Sequence, residues 1–73
     1  MENNGEIKVK SLQKALEILN CFVGKDSLGV TEISERFGLC KSNVHNILYT
    51  FRQMGYLEQN EATGKYRLGM QIF

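Results

Sequence analysis

No apolar run in this sequence approaches the roughly 20 residues that a bilayer-spanning helix requires, because hydrophobic positions are interrupted every few residues. No membrane partner is expected. Cysteine is scarce: Cys21 and Cys40 stand far apart, with no C-x-x-C and no second pair. That argues against a disulfide scaffold and leaves two free thiols used as small packing residues. Charge of one sign is lacking too. Nine Lys plus Arg face eight Asp plus Glu, a net charge of +1, which excludes a histone-like protein that coats nucleic acid by bulk charge. There is no Gly-rich phosphate loop, no carboxylate pair facing a cleft, and no acid spaced to orient the single His45 on its helix. An enzyme is therefore not expected. Cys21, Cys40 and His45 leave a tetrahedral zinc site without its fourth ligand, so neither metal nor cofactor is expected. The opening residues Met1–Glu6 are polar, with no apolar segment behind them. The expectation is a cytoplasmic chain without a signal peptide.

What is present fits one small domain. A chain of 73 residues buries only about 60% of its unfolded surface, so its core is minimal. It has no room for a substrate-enclosing architecture. Hydrophobic content of 42% and charged content of 23% are ordinary globular values.

Residues 1–10 read as a flexible N-terminal arm, and residues 11–69 as the folded domain. Ser11 stands where a helix N-cap belongs. Behind it Leu12, Ala15, Leu16, Leu19, Phe22 and Val23 recur at helical spacing and predict a buried stripe, ended by Gly24. Val30 suits a brief strand, and Thr31 suits the N-cap of a second helix, with Glu32 favoured in its first turn. That helix places Ile33, Ser34 and Phe37 on one face and ends at Gly38. A third helix over 41–54 buries Val44, Ile47, Leu48 and Phe51. Two helices joined by Gly38-Leu39-Cys40 describe a helix-turn-helix. After Gly55 the period changes to two, and Tyr56–Gln59 and Lys65–Leu68 read as a hairpin around Asn60–Gly64. The predicted fold is mostly α with a small β-hairpin: a winged helix-turn-helix of three helices plus a wing over about 56–68.

The third helix carries the informative face. Opposite its buried line lie Ser42, Asn46, Tyr49 and Gln53, flanked by Asn43, His45 and Thr50. No acid occurs between Glu35 and Glu58, whereas a solvated helix usually mixes Glu with Lys. Chance alone gives such gaps occasionally, but this one coincides with a helix-turn-helix, and the surface can approach phosphates without like-charge repulsion. Asn46 has the amide geometry for a bidentate bond to adenine, while Ser42 and Asn43 reach phosphate or base edges. Lys41 lies in the first turn, where backbone N–H groups also point at a phosphate. Tyr49 and His45 can donate to phosphate or pack on sugar. Thr31, at the start of the second helix, can touch phosphate as well. Lys65 and Arg67 either meet the flanking backbone or minor groove or form an ordinary solvated hairpin.

With these residues in view, the chain resembles the N-terminal winged helix-turn-helix domain of the IclR family of bacterial transcription regulators. The likeness runs from about Val9 to Met70. It rests on Ser11-Leu-Gln-Lys-Ala-Leu-Glu-Ile-Leu19, Leu28-Gly-Val-Thr-Glu-Ile-Ser34, Gly38-Leu-Cys-Lys-Ser-Asn-Val-His45, Gly55-Tyr-Leu-Glu58 and Thr63-Gly-Lys-Tyr-Arg-Leu-Gly69. The first and last of these are specific, since a generic helix-turn-helix requires neither. The resemblance implies sequence-specific binding of double-stranded DNA by a repressor-like homodimer on a pseudo-palindromic operator. It implies a small-molecule effector acting through a C-terminal domain, with residues 70–73 as the start of a linker helix. In family members the helix after the turn enters the major groove, so Lys41, Ser42, Asn43, His45 and Asn46 inherit the DNA contacts. Two positions depart from the pattern. Asn46 stands where the family usually has Arg, and Cys40 occupies a cap position commonly Ser or Pro, for which Cys is poor. The competing expectation from another class is a winged helix used for protein–protein contact without DNA.

Overall fold

A computed structural model describes residues 7–24 and 27–69. Most of the expected arm and all of the expected linker start lie outside the described residues. Helix α1 spans Lys10–Asn20, α2 Val30–Phe37 and α3 Lys41–Gln53; strands β1 (Leu57–Gln59) and β2 (Tyr66–Leu68) follow. The strands are antiparallel, in the register Leu57↔Leu68, Glu58↔Arg67 and Gln59↔Tyr66. This is the expected winged helix-turn-helix.

Helix α1 departs from expectation in its cap and in its buried line. Val9 occupies the cap position with an extended backbone and no side-chain cap bond. Its carbonyl already accepts the Gln13 N–H at 3.1 Å, so Ser11 falls inside the first turn and does not cap. The buried line runs through Ile18 and Phe22, both fully buried, with Ala15 and Leu19 packed against the core. Leu12 and Leu16 are instead exposed, because α1 meets the other helices along one line only. The second line faces an open groove beside Ile47, Thr50 and Met54. Past Asn20 the bonds shorten to three-residue spacing, Phe22 to Leu19 and Val23 to Asn20. The tighter turn carries Val23 into solvent at 64% exposure.

Before α2, Leu28 exchanges two backbone bonds with Tyr66, at 2.9 and 2.8 Å. The brief strand expected at Val30 is thus a bridge at Leu28, and Val30 opens the helix. Gly29 takes the cap position rather than Thr31, and its N–H donates to the Glu32 carboxylate at 2.7 Å. That is half of a capping box; glycine has no side chain to complete the other half. Helix α2 ends on Gly38 in the left-handed region, φ 66° and ψ 34°, a conformation that disfavours any Cβ-bearing residue. The Ser34 hydroxyl donates to the Leu39 carbonyl at 2.6 Å, and the Leu39 N–H donates to the Ser34 carbonyl at 3.1 Å. These reciprocal bonds fix the turn that aims α3.

The core gathers Ile18, Phe22, Ile33, Val44, Leu48, Phe51, Leu57 and Tyr66, so every element contributes. Full burial of each such side chain stabilises by about 1.5–3 kcal/mol. The wing folds on itself: Asn60 Oδ1 accepts the N–H groups of Ala62 and Thr63 at 2.8 and 3.3 Å, an Asx turn. At its base, the Gly69 N–H donates to the Tyr56 carbonyl at 2.7 Å. A Cβ on Gly69 would stand 2.7 Å from the Gly55 carbonyl oxygen. Only glycine lets the returning strand close so tightly on the end of α3.

Candidate nucleic-acid interface

Helix α3 starts from Cys40, as the sequence predicts. Cys40 is extended, exposed and makes no side-chain cap bond. Its carbonyl accepts the Val44 N–H at 3.1 Å, so the helix begins at Lys41 without help from the thiol. Val44, Leu48 and Phe51 are buried and anchor one side. Lys41, Ser42, Asn43, His45, Asn46 and Tyr49 are all exposed on the others. The helix contains no acid. His45 and Tyr49 stack one turn apart, ring centroids 6.4 Å and planes 14° from parallel, forming a flat aromatic step. The Thr50 hydroxyl donates to the Asn46 carbonyl at 2.8 Å, which commits it to the helix backbone.

The flanks of α3 differ. Toward the wing, Arg52 Nη1 donates to Gln59 Oε1 at 3.2 Å and ties the last turn of α3 to β1. Toward α1, Asn43 and Asn46 share an open groove of about 440 Å³ with Lys10, Ser11 and Lys14. Neither lysine was among the DNA contacts expected from the sequence. Their spacing of four in a segment without acid between Glu6 and Glu17 was the available signal.

The wing cations are partnered. Lys65 Nζ lies 3.7 Å from Glu32 Oε1, and Arg67 Nη2 lies 3.1 Å from Glu58 Oε1. Thr31, exposed at the start of α2, borders the same cleft as Thr63, Gly64 and Lys65. The wing loop therefore stands beside the N-terminal end of α2, with its basic side chains neutralised locally. Exposed pairs of this kind are worth up to about 1 kcal/mol, and a phosphate can displace the carboxylate. Among the described residues no helix is long and apolar enough to cross a membrane, and no group of three His, Cys, Asp or Glu could hold a metal ion.

A sequence model of the IclR helix-turn-helix domain matches residues 11–61. Over 65 residues the chain is 43% identical to the HTH-type transcriptional regulator XynR of Escherichia coli strain K12, covering 88% of this chain and 26% of that protein. It is 37% identical over 65 residues to the glycerol operon regulatory protein of Streptomyces coelicolor, with the same two coverages. Among solved structures, an IclR family transcriptional regulator from Brucella abortus superposes with a TM-score of 0.81 at 36% identity, over 89% of this chain and 25% of that one. The chain thus spans about a quarter of the length of the relatives it matches.

Proposed function

The chain belongs to the IclR family of transcriptional regulators and carries the family's helix-turn-helix domain; from that premise we propose that it reads double-stranded DNA with α3 in the major groove and the wing on the flanking backbone or minor groove. One observation carries this reading. The side of α3 opposite its buried line presents Ser42, Asn46 and Tyr49, all exposed, with Lys41, Asn43 and His45 beside them, and the helix bears no carboxylate to repel phosphate. A helix of about 10–12 Å diameter matches a groove about 12 Å wide.

Within this reading the residues divide by chemistry. Asn46 pairs with the adenine edge through its amide. Ser42 and Asn43 contact phosphate or base edges, and Lys41 sets register on a phosphate beside the free N–H groups of the first turn. The His45–Tyr49 step packs on sugar and donates to phosphate. Thr31, Lys65 and Arg67 meet the backbone on the wing side.

The relatives' greater length supports the further proposal that this domain works within a longer cytoplasmic regulator. That regulator would be a non-enzymatic homodimer, occupying two half-sites of a pseudo-palindromic operator and answering to a small-molecule effector bound elsewhere in the chain. The exposed Leu12, Leu16 and Met54 give a second copy apolar surface to cover. Selection of bound duplexes from a random pool tests the DNA reading. The expected result is an enriched short motif containing adenine at the position read by Asn46. A retained pool with no enrichment, or no retained DNA, overturns it.

A further inference from the structure

We propose that Lys10 and Lys14 of α1 hold DNA backbone phosphates on the side of α3 away from the wing, so that the recognition helix is clamped from both flanks. The inference rests on the reading of α3 as the recognition helix and adds residues to it. A helix lying in the major groove has a sugar-phosphate wall on each side. The wing and the start of α2 stand toward one wall. Lys10, Ser11 and Lys14 line a single open groove with Asn43 and Asn46 of α3, which puts them toward the other.

Three features of that groove select an anion. First, around a floor that includes Leu39 and Ile47, the polar groups of its lining are two lysines, a hydroxyl and two amides, with no carboxylate among the described residues. Second, neither lysine has a carboxylate partner among the described residues, whereas Lys65 and Arg67 are both paired. Third, Lys14 is already held in place: its ammonium lies 5.7 Å from the centroid of the Phe37 ring. Phe37 is the last residue of α2, and Gly38 and Leu39 after it form the turn into α3. The aromatic face therefore parks a cation at the mouth of the helix-turn-helix. A cation–π contact occupies one side of an ammonium and leaves donors for an incoming phosphate. Because the contact is to phosphate, it is blind to base sequence.

The test compares wild-type chain with the double variants K10Q/K14Q and K10R/K14R on two unrelated duplexes, by fluorescence anisotropy between 50 and 200 mM salt. Both lysines reach solvent, and a thermal melt matching wild type verifies folding of each variant. For two lost phosphate contacts, the slope of log affinity against log salt becomes shallower by about 1.8 in K10Q/K14Q. Over that fourfold rise in salt, wild type then loses about twelvefold more affinity than the variant. The loss is equal on both duplexes, and K10R/K14R keeps the wild-type slope. A K10Q/K14Q slope within about 0.5 of wild type overturns the proposal while leaving the role of α3 standing. Wild-type chain that shows no salt-weakened binding at all overturns the reading of α3, and the clamp with it.

Discussion

Asn46 sits at the centre of the exposed side of α3, where a short amide with one donor and one acceptor face is suited to adenine. Replacing it with alanine should relax base preference by about 1–3 kcal/mol at one position while sparing affinity for unrelated DNA. Lys41→Ala should instead weaken all duplexes alike and reduce the salt slope by about 1. Parallel titrations on a duplex series with single-base changes separate the two outcomes, and identical losses for both variants would refute the division of roles. Asn46→Arg exchanges the short amide for a guanidinium and should move the preferred base from adenine toward guanine, whose O6 and N7 accept a guanidinium. Glu58→Gln frees Arg67 from its carboxylate partner 3.1 Å away and should raise affinity for unrelated duplexes at low salt. Unchanged affinity would mean that Arg67 does not face DNA.

At the scale of elements, the turn between α2 and α3 depends on the left-handed Gly38. A Cβ there would meet no atom within 4 Å, so Gly38→Ala should cost only the conformational strain, about 1–2 kcal/mol. In α1, Ile18→Ala should cost about 2–5 kcal/mol by opening a cavity in a small core. Leu16→Gln, at 52% exposure, should stay within about 0.5 kcal/mol of wild type. Chemical denaturation checks all three. The contrast marks how far the sequence was legible. The lines of α3 read correctly because its apolar residues form one stripe and its polar residues the opposite one. In α1 two adjacent apolar lines run side by side, and helical period alone does not say which meets the α2–α3 pair; Leu12, Leu16 and Val23 were expected inside and lie outside. The caps shifted for a related reason. Ser11 and Thr31 have the right side chains, but the backbones of Val9 and Gly29 reach the cap geometry first. The bridge from Leu28 to Tyr66 and the Glu32–Lys65 pair join residues distant in sequence, and no local pattern announces them.

Across the whole molecule, the near-zero net charge averages unlike regions. The described acids stand on α1, α2 and the wing, while α3 has none. Where wing cations occur, Glu32 and Glu58 offset them. Among the described residues, the α1 side of α3, with Lys10 and Lys14, has no such offset. In the proposed reading, a small domain with one acid-free helix, flanked by a neutralised wing and an open lysine pair, attracts duplex DNA along a defined face rather than by bulk charge. The most direct test of that face is an amide NMR titration of the 15N-labelled chain with a short duplex at low salt. The expected result is chemical-shift change concentrated at residues 41–50 and at Thr31, with smaller changes at Lys10, Lys14, Lys65 and Arg67. Shifts that spare α3 and gather around Cys21–Gly24 and Met54, or no shifts at all, would contradict the account.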